Sequence, residues 1–432
     1  MSLSPLTLIF IGLIVLLAIF GIWIGAPVDG LWRVPTAFLI IFIALERVRL
    51  TANYTVQRQL PTNLGLGETI LCIVTVNNQS SLKLTIETQA DYPDSLETDN
   101  ALERWLLGGN ESKTRNVLIM PTQLGESTLG KLYLKQLGTY GLCWWVRAID
   151  DHVNFTVEPV RLEKNINLPG GQNSGNHSRN FLHNTGFDLL DLRDYQLGDS
   201  LRSIDWKATA RRGKQVIRRF EREHRLEIVV LIDCGISSRI HCQGLDRLHH
   251  YINISSKFTE FAAMQGDKVA CIAYAQQALG RAPMSGGIGA VKKVRHLLSR
   301  LSATNETANP LNAALEVKQL LKHRGLVIFL TEIEQPEAAS QLIQAGQLLG
   351  TKHQVLIATL EDPETSKALA NKAQQWLDPY RQFAALEYQR GKEMTRMQLR
   401  RNGVAIAVGS AKHLDQQVMA YYQKKRDIIG SA

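Results

Sequence analysis

The chain has 432 residues, enough for two or three domains, and a formal net charge of +9. Its 45% hydrophobic and 21% charged residues are ordinary for globular protein, which excludes wholesale disorder. The positive balance suits an anionic partner (a lipid headgroup, nucleic acid or an acidic protein surface) without choosing among them. Cys72, Cys143, Cys234, Cys242 and Cys271 form no C-x-x-C pair and are odd in number, a pattern of buried thiols in a reducing compartment.

Leu6 to Gly25 carries no charge and only Thr7 as a polar side chain. At about 1.5 Å per residue such a run spans a ~30 Å hydrocarbon core. No Lys or Arg precedes it, which argues against a cleaved signal peptide. A turn at 26–30 leads to a second apolar segment, Leu31–Leu45, with Pro35 in its first turn and Trp23 and Trp32 flanking the turn as interfacial aromatics. Arg47, Arg49 and Arg58 follow it and by the positive-inside rule hold the rest of the chain in the cytoplasm. Residues 1–48 thus read as a transmembrane helical hairpin with spans of about 6–25 and 31–45 and both termini cytoplasmic.

Residues 49–162 change to short alternating stretches broken by Gly, Asn and Pro. Thr69–Asn77 alternates with period two, a turn at Asn77–Ser80 follows, and Leu82–Gln89 answers it. Asn116–Met120, Thr128–Gln136 and Phe155–Val160 complete at least five strands of an antiparallel, sandwich-like domain. Of the adjacent Trp144 and Trp145, one faces a core and the other faces out. Residues 163–185, rich in Gly, Asn and Ser, read as a flexible linker.

Gly186–Arg225 interleaves charges of both signs with aromatic rings: Arg193, Tyr195, Gly198, Asp199, Arg202, Asp205, Trp206 and Arg211. Nine Lys/Arg and three Asp/Glu fall between Arg202 and Arg225, most of the chain's excess charge. A solvated, salt-bridged face is one account, though exposed ion pairs contribute only about 0–1 kcal/mol each. An Arg/Asp lattice packed on Trp206, Tyr195 and Phe220 as an ordered surface or interdomain seam is the favoured one. The string F-D-x-L-x-x-L-R-x-Y-x-x-G-D-x-x-R-x-I-D-W-K-A-T-A-R resembles the signature of a bacterial family, domain of unknown function 58. The resemblance implies a short membrane anchor, a β-rich segment, this signature and a von Willebrand A-like domain, with a MoxR-type AAA+ ATPase as partner. Gly138–Trp144 (GTYGLCW) resembles the family's D-P-F-G-L element, keeping Gly141 and Leu142 but not its Asp and Pro; Leu124-Gly125 stands where Arg-Gly is frequent.

From residue 226 to 432 strand and helix alternate, implying a doubly wound, mainly parallel sheet. Buried strands are expected at Leu226–Asp233, Lys268–Tyr274, Leu326–Thr331, Gln354–Leu360 and Val404–Val408. Helices are expected at Leu245–Met264, Val291–Leu301, Leu311–Leu321 and His413–Lys425. Asp233-Cys234-Gly235-Ile236-Ser237 resembles the D-x-S-x-S element that holds Mg²⁺ in von Willebrand A domains, with Gly235 in place of the middle Ser. Asn309 stands at the Thr position and Glu332 at an Asp position, so loss of the metal site is the expectation. His241, Cys242, Asp246, His249 and His250 read as a polar helix face, Ser285–Gly289 as a flexible loop, and Lys292, Lys293, Arg295 and Arg300 as a solvated face.

The resulting expectation is a non-enzymatic adaptor on the cytoplasmic face of a bacterial membrane. It needs no cofactor, metal or small-molecule substrate, and its partners are the lipid bilayer and the ATPase. The eight residues Arg193 to Arg211 serve partner docking or an interdomain seam. The alternatives are nucleic-acid or anionic-surface binding through 202–225, and metal-dependent protein adhesion through a degenerate site. No G-x-S-x-G, H-E-x-x-H or Walker A motif speaks for a hydrolase.

Overall fold

A computed structural model describes residues 2–25, 30–49, 54–99, 103–163, 189–196, 204–220, 225–333, 336–370 and 375–430. They form two compact units, Met1–Glu158 and Pro159–Ala432.

The first unit opens with helix α1 (Pro5–Ile24), started by Pro5 and by the Ser4 hydroxyl, which accepts the Thr7 N–H at 3.3 Å. Among the described residues it is the one helix long and apolar enough to cross a membrane. Its apolar side chains are largely exposed, Trp23 at 82%, while Thr7, Ile14 and Gly21 are buried seven residues apart along one line. Helix α2 (Arg33–Arg49) runs past the end of the apolar segment because its last turn finds partners in the sheets.

Those partners lie on the turn between strands Leu132–Leu137 and Cys143–Ile149. The fully buried Glu46 carboxylate accepts the N–H groups of Tyr140 (3.0 Å), Leu142 (3.2 Å) and Cys143 (3.0 Å). Both glycines of this turn have a reason. A Cβ on Gly138 would lie 2.0 Å from the Glu46 side chain, and Gly141 sits at φ +73. Arg47 stacks over Trp145 and Phe42 meets Tyr140 edge-on. The start of α1 reaches the same place: Ser2–Leu3 pairs with Cys143–Trp144, and the Ser4 N–H and the Thr7 hydroxyl both donate to the Leu142 carbonyl.

The strands fall into a five-stranded, a four-stranded and a three-stranded sheet. Pairing is antiparallel apart from Asn63–Gly65 beside Val153–Glu158. Ile70–Asn78 buries Cys72, Val74 and Val76 on alternate positions, as expected for a half-buried strand. It does not pair with Leu84–Ala90. Its neighbours are Tyr54–Gln59 and Ser112–Pro121, whereas Leu84–Ala90 lies between Leu132–Leu137 and Glu103–Leu107. Buried Asn78 explains the difference, because its side-chain amide donates to the carbonyls of Leu82 and Gly108 and so carries the chain from one sheet to the other. The expected strand Thr128–Gln136 is two strands, Gly125–Leu129 and Leu132–Leu137, in different sheets. The break is at Gly130, where a Cβ would meet the Asp91 carbonyl at 2.8 Å.

Neither Trp144 nor Trp145 is a core residue; each is half-buried under an arginine, Arg104 and Arg47 respectively. The core tryptophan is Trp105, whose indole N–H donates to Thr88 Oγ1 at 2.9 Å. Arg58 is also reassigned. It is buried in the sheets, 3.1 Å from Asp151 and donating to the Gly130 carbonyl, and is no membrane-flanking charge.

The second unit begins at Pro159–Leu162, which is bonded to its helices: Val160 N–H to Asn253, Leu162 N–H to Glu260, and the Pro159 carbonyl to Arg295. The expected linker at 163–185 lies outside the described residues apart from residue 163. A two-stranded ribbon, Leu189–Asp194 against Val216–Phe220, carries the short helix α3 (Trp206–Arg212). Helices α4 (Arg247–Met264), α5 (Gly287–Leu298), α6 (Pro310–Leu320), α7 (Pro336–Gly350), α8 (Pro363–Ala370), α9 (Asp378–Arg401) and α10 (Leu414–Gly430) alternate with a six-stranded sheet.

That sheet runs in the order Ala278–Gly286, Lys268–Tyr274, Glu227–Asp233, Leu326–Leu330, Gln354–Leu360, Ala405–Gly409. Five strands are parallel and the first is an antiparallel edge. The edge strand was hidden by its Gly and Pro and its half-exposed pattern. It takes in Ser285 and Gly286, and Gly287 opens α5 at φ +57, so Ser285–Gly289 is not a loop. Chain order reverses on either side of Glu227–Asp233, which puts the usual ligand position of such sheets at the end of that strand, Asp233.

Candidate functional site

In the signature segment the described geometry is a capped helix on a ribbon. Asp205 Oδ1 accepts the N–H groups of Lys207 (3.0 Å) and Ala208 (3.1 Å) and thereby starts α3. Its own N–H donates to the Val216 carbonyl, and Thr209 Oγ1 accepts the Val216 N–H, which ties α3 to the ribbon. Gly213 ends the helix in the left-handed region at φ +65. Beneath lie buried Ile204, Val216 and Ile217. Tyr195 N–H donates to the Gln215 carbonyl, and Arg193 pairs in register with Ile217. Trp206 is 68% exposed and takes no part in that packed strip, contrary to a lattice locked on its ring. Arg211 is exposed in the last turn, where a cation suits the helix dipole. Gly198, Asp199 and Arg202 lie outside the described residues.

At the strand ends the polar groups are buried and bonded to one another. Asp233 Oδ1 accepts the Gly235 N–H at 2.8 Å and its Oδ2 accepts the Thr331 hydroxyl at 2.6 Å. Glu332 accepts from the Thr359 hydroxyl (2.8 Å), the Leu360 N–H (3.0 Å) and the Tyr251 hydroxyl. Buried Lys392 of α9 brings its ammonium to 3.9 Å from Glu332, under the ring of Tyr388. Thr331, Tyr251 and Lys392 carry no local sequence signal for this place, because each arrives from a different element.

These residues do not fit a divalent site of the expected kind. A side chain at Gly235 would meet the Ala308 backbone nitrogen at 2.8 Å, so the middle Ser has no room. Asn309 caps α6 through the Asn312 N–H at 3.1 Å. Ser237 is half-buried. Among the described residues no group of three or more His, Cys, Asp and Glu is placed to hold a metal ion.

Burial pushes the Asp233 carboxyl up to about 6, against its two hydrogen bonds. The folded chain therefore keeps a proton that the unfolded chain has released. The stability this confers is complete below pH ~4 and lost as the pH rises through ~6. Asp233→Asn should abolish that decline. Urea titrations at pH 4 and pH 7 should show the parent losing up to about 3 kcal/mol relative to the variant.

His250 is not on a polar face. It is buried, 2.7 Å from the Cys242 carbonyl, and burial pushes its imidazole down. Arg295 is not merely solvated either, since it pairs with Glu260 at 2.8 Å. All five cysteines are buried free thiols.

The family described as "Protein of unknown function DUF58" matches residues 191–405, from the ribbon to the last strand. The chain belongs to this family. The DUF58 match begins at the ribbon strand that carries Arg193 and takes in α3, the buried strand ends and α9. No curated protein matches the chain. Among solved structures, trypsin-activated alpha-2-macroglobulin from Escherichia coli is 12% identical over 25% of this chain, with a TM-score of 0.22. The conserved hypothetical protein BatB from Bacteroides thetaiotaomicron is 15% identical over 46% of this chain and 98% of its own, with a TM-score of 0.33. The chain spans about 7% of the length of the macroglobulin.

Proposed function

We propose that this DUF58 protein is a membrane-anchored, non-enzymatic adaptor. In this reading α1 and α2 form a hairpin through the cytoplasmic membrane of a bacterium, with both termini in the cytoplasm. The α/β region is von Willebrand A-like, and its partner is a MoxR-type AAA+ ATPase acting in assembly or remodelling of other proteins. One observation carries the reading: the place where sheets of this order bind ligands is filled by the chain's own Asp233–Thr331 and Glu332–Lys392 contacts. The ribbon segment offers an exposed Trp206 and Arg211 on a capped helix, residue types favoured at the centre of protein interfaces.

Capture of the ATPase from detergent-solubilised membranes tests it. Trp206→Ala and Arg211→Ala should each lower recovery about tenfold or more with the denaturant midpoint unchanged. Unchanged recovery would refute docking at α3, and loss of folding would assign these residues to a seam.

A further inference from the structure

We propose that the outward side of α9 pairs antiparallel with α9 of a second copy of this chain, about a two-fold axis passing between Glu387 and Arg390. Ala385, Lys392 and Leu399, seven residues apart, are the buried positions that seat α9 on its own unit. On the opposite side Tyr380, Phe383, Glu387, Arg390, Met394 and Met397 follow one another at alternating steps of three and four residues, and all six are exposed. That is the spacing of a coiled-coil seam, and a 24-residue helix of about 36 Å accommodates three such repeats. Trp376, in the turn before the helix, extends the stripe and meets Tyr380 edge-on at 6.5 Å.

The order of residues along the stripe selects the occupant and its direction. Aromatic rings lie toward the N-terminal end, methionines toward the C-terminal end, and one acid and one base sit in the middle. A parallel partner would set Glu387 against Glu387 and Arg390 against Arg390. An antiparallel copy sets Glu387 against Arg390 twice, Phe383 against Met394 and Tyr380 against Met397, and brings Trp376 toward Arg401. Each contact joins complementary chemistry: opposite charges, thioether with ring, and guanidinium with indole. Such an interface is isologous and closes at two chains, so it gives a dimer and not a filament. Anchorage in one bilayer would raise the effective concentration of the two helices for each other.

Charge reversal in the full-length chain in detergent, read by sedimentation equilibrium, tests this. Glu387→Lys and Arg390→Glu should each weaken the dimer about tenfold or more, because each turns two attractions into two repulsions. The double variant Glu387→Lys/Arg390→Glu, which restores complementarity with the signs exchanged, should return the dissociation constant to within about threefold of the parent. A chain that stays monomeric at every concentration overturns the proposal. So does a dimer indifferent to both single reversals, or a double variant no better than the singles.

Discussion

Replacing Glu46 by alanine should destabilise the first unit by about 3 kcal/mol or more. The carboxylate is fully buried and accepts three backbone N–H groups of one turn. A hydrogen bond to a charged acceptor contributes about 1.5–3 kcal/mol, and a buried donor left without one costs a similar amount. Glu46→Gln keeps the shape and one acceptor oxygen, so its loss should be smaller. Denaturant titration of the full-length chain in detergent micelles gives both values. A parent-like midpoint for Glu46→Ala would mean that the turn between Gly138 and Cys143 is held by something other than α2.

The second large effect is expected at Lys392. Its ammonium is the buried cation 3.9 Å from Glu332. Truncating one partner of a buried ion pair costs about 3–5 kcal/mol because the other charge is stranded. Lys392→Met keeps the length and apolar bulk of the side chain, so that cost is electrostatic and not a cavity. Combining it with Glu332→Gln removes the stranded charge as well, so the loss in the double variant should fall well short of the sum of the two single losses. Urea midpoints of the four chains close this cycle; simple additivity would show that the two residues do not interact.

Much of the scaffold can be read from local pattern alone. Leu6–Gly25 announces α1 by an unbroken apolar run, and Lys268–Tyr274 and Gln354–Leu360 are strands with the expected bounds, their flanks being polar and their middles continuous. Reading fails where the decisive contact is distant. Asn77–Ser80 has the composition of a hairpin turn, yet the side chain of Asn78 reaches Gly108 and sends the next strand to another sheet. α9 is mostly polar and its pattern is weak: the buried side holds only Ala385, Lys392 and Leu399, while a stripe of aromatic rings and methionines faces outward. The candidate site was legible in the same uneven way. Asp205 reads from the sequence as one charge of an Arg/Asp lattice and proves to be the cap of α3, and Glu46 reads as a charge at the end of an apolar helix. Its signal was the pair Gly138 and Gly141, whose reason appears only once the carboxylate is set against them.

The bond from Thr7 to the Leu142 carbonyl joins residues 135 positions apart, with a consequence for how the chain is made. Synthesis at about 5–20 residues per second delivers α1 roughly 6–24 seconds before the turn that receives it. During that interval α1 lacks the protein surface it later packs on, so under the proposed membrane anchorage insertion of α1 would come first and closure of the sheets onto its start second. The last residues of that turn to leave the ribosome complete the contact with Ser4 and Thr7, so the start of α1 is seated late in synthesis.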